Sequence, residues 1–167
     1  MTVQIADLRD PGALLALNNA AIPDVNRLDA TKADWLTAHS VLARVATIGE
    51  AAAGVVIVLS ETAALESEYF RWFTERYGNF LYIDRVVVAS DARRHGIATT
   101  LYREVEALAS KRAQAIASDV YCSPPNAASL RFHQKLGYVE VGQQFSASET
   151  RTVCKLMKFG DRARSRR

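Results

Sequence analysis

The sequence predicts a mixed α/β fold, in which β-hairpins and β-α-β units feed one mixed sheet with helices on its faces. Three observations carry this. Two apolar runs, residues 41–48 and 51–59, are separated only by Gly49-Glu50, the spacing of a hairpin. A β-branched and aromatic run over residues 80–88 feeds a short polar loop and then, from Ile97, a helical pattern. Strand-like and helix-like patterns alternate from there to Phe159. The expected order is β-α-α-β-β-α-β-α-β-α-β-β.

Val3, Ile5 and Leu8 mark a short first strand. Asp10-Pro11 opens a helix, with Asp10 as N-cap and Pro11 at the first helical position. Leu14, Leu15 and Leu17 give it an apolar stripe, and Ile22-Pro23-Asp24 breaks it. Asp29 or Thr31 begins a second helix carrying Trp35 and Leu36. After the hairpin, Leu65, Tyr69, Trp72, Phe73 and Tyr77 fall at i, i+4, i+7, i+8 and i+12, a helical face, with Gly78 placed as a C-terminal cap. Residues 80–88 are the central strand. Residues 97–111 are a helix with Leu101, Val105 and Leu108 on one side. Residues 115–122 are a strand that Ser123-Pro124-Pro125 ends, because proline cannot donate to a ladder. Asn126 caps a helix ending at Lys135-Leu136-Gly137, and residues 138–145 and 151–159 are a last strand pair.

Composition bounds the functional classes. With 167 residues, 49% hydrophobic and 23% charged, the chain reads as one globular domain over residues 1–160. Residues 161–167 read as a basic, solvated and disordered tail. Removing the four arginines of residues 162–167 takes the net charge from +3 to −1, so the folded body carries no basic excess and no nucleic-acid partner is expected. Cys122 and Cys154 lie in strand-like runs without metal-type spacing and are expected to be buried thiols in a reducing compartment. No signal peptide is visible, and the longest apolar run is half a membrane span. The expectation is a cytoplasmic protein with no membrane partner.

The stretch from Val86 to Leu101 carries the chemistry. A strand, a basic glycine-containing turn and a helix start build an anion site, because the first helical N–H groups lack intrahelical partners and the helix dipole adds positive charge there. Gly96 lets the backbone approach a ligand closely, and Arg93 and Arg94 supply planar donor forks suited to phosphate. The spacing is neither GxxxxGK[ST] nor GxGxxG. Arg93-x-x-Gly96-x-Ala98 resembles motif A of the GNAT superfamily of N-acetyltransferases. Residues 126–138, with Asn126, Ser129, Phe132-His133 and Gly137-Tyr138, resemble motif B of the same superfamily. The matching part runs from about residue 81 to 159; the first 80 residues match in element order only.

The resemblance implies a mostly antiparallel sheet of six to seven strands, with a central splayed parallel strand pair and helices on both faces. It implies acetyl-CoA as co-substrate in the gap between those strands, and no metal. Arg93, Arg94, His95, Gly96, Ile97, Ala98 and Thr99 would hold the pyrophosphate. The backbone of Val86, Val87 and Val88 would pair with the pantetheine amides, and Asn126, Ser129 and Phe132 would face the cofactor. The implied activity is acetyl transfer to an amine of a small molecule or protein by direct attack in a ternary complex. A CoA-binding module whose catalysis has decayed is the alternative, and a homodimer is compatible with either.

Two residues are candidates for catalysis. His133 stands where the family commonly has a tyrosine acid; it either protonates the leaving thiolate or packs on its helix and contacts CoA. Asp84, the one acid inside the central strand, either binds or deprotonates the acceptor amine or pairs with Arg85. Asn18, Tyr69, Trp72 and Tyr82 either wall an acceptor pocket, suited to an apolar or aromatic amine, or pack in the core.

Overall fold

The computed structural model describes residues 2–160. The basic tail expected over residues 161–167 lies outside the described residues. In chain order the elements are β1 (Val3–Asp7), α1 (Pro11–Ala20), α2 (Ala30–His39), β2 (Leu42–Ile48), β3 (Ala51–Ser60), α3 (Glu68–Thr74), β4 (Phe80–Val88), α4 (Ile97–Arg112), β5 (Ala115–Ser123), α5 (Ala127–Lys135), β6 (Val139–Ser146) and β7 (Arg151–Lys158). A 3-10 turn at Ser90–Ala92 follows β4. The strand order is β1-β2-β3-β4-β5-β7-β6. The sheet is mostly antiparallel, with β4 and β5 as a parallel pair, which the intervening α4 permits by carrying the chain back. No helix among the described residues is long and apolar enough to cross a membrane.

The described chain divides into two compact units. One holds the residues up to Ser60 together with Ile83–Leu108; the other holds Glu61–Tyr82 and the described residues from Ala109 on. In the first unit, Asp10 and Asp29 cap α1 and α2 by accepting from the Gly12 and Lys32 amides at 2.8 and 2.7 Å. β1 pairs with β2 from Val3↔Ile48 to Asp7↔Arg44, and β2 pairs with β3 through the Gly49 turn. Val55 to Leu59 are all 0% exposed, so β3 is buried on both faces and shows a continuous apolar run instead of alternation. Gly54 sets the position of α4. A Cβ there would stand 2.7 Å from the Ile97 side chain and 3.3 Å from the Val87 carbonyl oxygen, so only glycine lets the start of α4 sit this close to β3.

In the second unit β7 lies between β5 and β6, with Asp119 directly opposite Lys155 and Gly142 opposite Lys155 on the other side. Phe70 and Phe73 of α3 pack on Phe80 and Tyr82 with ring centroids 5.2 to 6.4 Å apart. α3 is shorter than the stripe from Leu65 to Tyr77 suggests. Ser67 accepts the Phe70 amide at 3.3 Å and starts the helix there, leaving Leu65 buried ahead of it. The cap is Glu75, and the left-handed residue beyond it is Asn79 (φ 55°), not Gly78. Cys122 and Cys154 are both free; Cys154 is buried but Cys122 only half-buried.

Candidate functional site

The first unit contains the basic loop. Arg94 and Gly96 both take left-handed backbone, each with φ 70°. The Gly96 carbonyl accepts the Thr100 amide at 3.0 Å and the Thr100 hydroxyl at 2.9 Å, which makes it the first acceptor of α4. The amides of Ile97, Ala98 and Thr99 therefore precede any helical partner. Ile97 is 2% exposed and anchors this end, whereas Arg93, Arg94 and His95 are exposed. Arg93 makes one loose ion pair, 3.7 Å from Asp24 with both side chains open to solvent, an interaction worth little. A Cβ on Gly96 would meet nothing within 4 Å, so the surface over the turn is open. Forward-pointing amides, a helix dipole and two available guanidinium groups fit a pyrophosphate.

On β4, Val87 is 4% exposed while Val86 and Val88 are half-buried. Asp84 pairs with Arg85, Nε to Oδ2 at 2.7 Å, with both side chains 8% exposed. Arg85 also donates to the Asn18 side-chain oxygen at 2.8 Å. Asn18 is 0% exposed and faces inward: its amide donates to the Asn26 carbonyl at 2.9 Å and to Asn19 at 3.1 Å. Asn19 adds a two-way pair with the Leu28 backbone, both bonds 3.0 Å. The two asparagines thus hold the connection between α1 and α2, and Asn18 shapes that connection from beneath.

In the second unit, Asn126 caps α5 by accepting the Ser129 amide at 3.3 Å. Gly137 follows the helix with φ 93°. Phe132 is half-buried. His133 is 2% exposed, edge-on to Phe132 and Tyr138. Its Nδ1 lies 2.7 Å from the Ser129 carbonyl oxygen, which can only accept, so Nδ1 carries the proton. Burial lowers its pKa from the ordinary 6.5, with the Ser129 bond opposing. These surroundings favour a neutral ring that packs.

Tyr69, Trp72 and Tyr82 come together around a group that sequence reasoning missed. Lys155 of β7 is 0% exposed, and its Nζ lies 2.5 Å from Asp119 Oδ1. The other Asp119 oxygen accepts the Tyr82 hydroxyl at 2.6 Å. Glu149, in the β6–β7 turn, accepts both the Tyr69 and Tyr121 hydroxyls, at 2.6 and 3.0 Å. Burial, then the Glu149 bond, raises the Tyr69 pKa well above its usual value. Trp72 is half-buried, and a Cβ on Gly142 would stand 2.5 Å from its ring, so the indole lies directly on the β6 backbone. The available signal was a charge inside each of two apolar strands, Asp119 and Lys155. If Trp72 walls an acceptor pocket, as the sequence reading allows, Trp72→Ala raises the acceptor KM and leaves acetyl-CoA affinity unchanged. Its stability cost should fall below the ~3–5 kcal/mol of a fully buried aromatic, because the ring is part-exposed. Kinetics beside a melting curve checks both.

Residues 16–138 match the family model described as Acetyltransferase (GNAT) family. No curated protein matches the chain. Among solved structures, the ribosomal-protein-S18-alanine N-acetyltransferase from Escherichia coli superposes with a TM-score of 0.72 at 15% identity, covering 96% of this chain and 97% of that one. Arabidopsis thaliana Naa50, in complex with the bisubstrate analogue CoA-Ac-MVNAL, gives 0.72 at 19% identity over 96% and 100% of the two chains. Arabidopsis thaliana NAA60, in complex with acetyl-CoA, gives 0.72 at 17% identity over 95% and 100%. At these identities the likeness shows the fold. The match to the family model, over more than half of the chain and across the Arg93–Gly96 turn and the capped α5 helix, establishes that this chain belongs to the GNAT acetyltransferase family.

Proposed function

We propose that the protein transfers an acetyl group from acetyl-CoA to an amine by direct attack in a ternary complex. The observation that carries this is the open loop of residues 93–99, where two left-handed residues, two exposed arginines and the first amides of α4 converge. Acetyl-CoA supplies the activated thioester. Arg93, Arg94, His95 and the Gly96–Thr99 backbone hold its pyrophosphate, and the Val86–Val88 backbone is available to its amides. Asn126, Ser129 and Phe132 are assigned to the cofactor on the strength of the second motif. The acceptor must arrive as, or become, a neutral amine before it attacks. Tyr69 and Trp72 form an aromatic wall for it, while Tyr82, 3% exposed and packed on Phe70 and Phe73, takes the core role that the sequence left open. The likeness to proteins solved with, or named for, peptide and protein substrates makes a peptide α-amine the first acceptor to try.

A decayed CoA-binding module is the second reading, favoured by the ion-paired Asp84 and the buried His133. Thiol release from acetyl-CoA across a panel of arylalkylamines and free-α-amine peptides, with mass spectrometry of the products, separates the two. Acetylated product supports the transferase; tight CoA binding with no product on any amine supports the module.

His133 is assigned to packing. His133→Phe is expected to keep kcat within about threefold, whereas a positioned acid would cost roughly 10²–10⁴-fold. A loss of that size in a folded variant would return His133 to the role of acid.

A further inference from the structure

We propose that Lys155 is a positioning residue for the acceptor side of the site, its ammonium holding α3 and Tyr82 in the one arrangement that presents the aromatic wall. The proposal rests on the acceptor reading of Tyr69 and Trp72 given above.

An ammonium has three N–H donors. Two of those of Lys155 reach oxygens, the Tyr69 carbonyl of α3 and Gln144 Oε1 of β6, each at 3.0 Å, and its charge pairs with Asp119 Oδ1 of β5 at 2.5 Å. With β7 itself, four elements meet at one atom. The rings of Tyr69, Trp72 and Phe73 close over it at 5.1, 5.3 and 4.6 Å. Both members of the wall, and the buried Tyr82, are thereby tied to the same charge. Tyr69 is held by its carbonyl and its ring, Trp72 by its ring, and Tyr82 through the Asp119 carboxylate that it shares with Lys155.

The location argues for positioning. α3 has seven residues, too few to hold its own geometry, and depends on outside tethers. An apolar side chain at position 155 would fill the same space without the cost of desolvating an ion, but it would impose no direction on its neighbours. Two charge-assisted hydrogen bonds and an ion pair, aimed at three elements, do. Lys155 itself, at 0% exposure, is out of reach of acceptor and cofactor.

The test compares wild type with Lys155→Arg, Lys155→Met and the double variant Asp119→Asn/Lys155→Met, which removes both charges and leaves no buried ion unmatched. Hydrogen exchange is followed over residues 67–77 and 127–135. Steady-state KM is measured for acetyl-CoA and for two probe acceptors, phenethylamine and the peptide Met-Val-Asn-Ala-Leu. The double variant should exchange at least about tenfold faster over residues 67–77, with residues 127–135 unchanged. Its acceptor KM should rise about tenfold or more, with the acetyl-CoA KM unchanged. Lys155→Arg should recover part of both effects. Uniformly faster exchange, or a fall in kcat with the acceptor KM unchanged, would overturn the proposal and leave Lys155 as a stabilising core residue. A wild type that acetylates neither probe would count against the transferase reading instead, and the exchange result would still decide whether Lys155 fixes α3.

Discussion

Gly96→Val is expected to reduce CoA affinity by about a hundredfold or more while leaving the melting temperature close to that of wild type. Position 96 sits at φ 70°, and valine there is a steric outlier costing roughly 1–3 kcal/mol. The turn relieves that strain by moving, and moving takes the first amides of α4 off their common aim. The added methyl groups also enter the open space through which a phosphate must approach. A hundredfold corresponds to about 2.7 kcal/mol, within the reach of these two effects together. The fold should be spared because Gly96 is exposed and Ile97 still anchors the helix. Gly96→Asn separates the causes. Asparagine tolerates left-handed backbone, so it keeps the turn but adds side-chain bulk. It should fall between wild type and valine if both effects count. Calorimetric titration with CoA, beside thermal unfolding of each variant, reads the outcome; unchanged affinity in folded Gly96→Val would contradict it.

Asp119→Ala is expected to cost about 3–5 kcal/mol of stability near neutral pH, the penalty for leaving a buried charge without its partner. Lys155 would then keep two neutral oxygens but lose the Asp119 carboxylate, and the Tyr82 hydroxyl would lose the Asp119 oxygen it donates to. The deficit should depend on pH in a definite direction. Burial already pulls the Lys155 pKa below its ordinary 10.5, and Asp119 is the main influence raising it. Arg76 lowers it and Glu68 raises it, each less than Asp119 does. Removing Asp119 drops the folded-state pKa again. Above 10.5 the lysine is neutral in folded and unfolded chains alike, so its charge costs nothing. As pH falls from there through the folded-state pKa, the unfolded chain takes up a proton that the folded chain resists, and stability is lost. The gap between wild type and Asp119→Ala should therefore narrow as pH rises through the lowered Lys155 pKa towards the ordinary 10.5. Urea unfolding at several pH values checks this. A gap independent of pH would mean that Lys155 is not held as a buried charge.

The parts of the site that were legible in the sequence are those that local chemistry encodes. Residues 93–98 announce a turn before a helix because a glycine and two arginines sit between a β-branched run and an amphipathic one. Asp10, Asp29 and Asn126 read as caps because their side chains satisfy amides two or three residues away. The Lys155 cluster was not legible for the opposite reason. Asp119 and Lys155 are 36 positions apart and meet only through the antiparallel register of β5 and β7, which no local pattern reveals. Glu149 meets Tyr69 and Tyr121 through a turn whose path depends on that same pairing. The aromatic stripe of α3 was half legible. Its spacing located the helix, but the sequence does not say that Phe70 would be buried against Phe80 and Tyr82 while Tyr69, Trp72 and Phe73 closed over Lys155. For Asn18, a polar residue beneath a loop looks the same in sequence whether it faces a ligand or, as here, the carbonyls of its own chain.

The central claim is that the turn at residues 93–99 is where the cofactor's pyrophosphate binds. Amide chemical shifts recorded while CoA is added to the isotopically labelled protein test it most directly. The largest shifts are expected at Gly96, Ile97, Ala98 and Thr99, saturating with the same affinity that calorimetry reports and largely lost in Gly96→Val. Saturable CoA binding that leaves those four amides unmoved would contradict it.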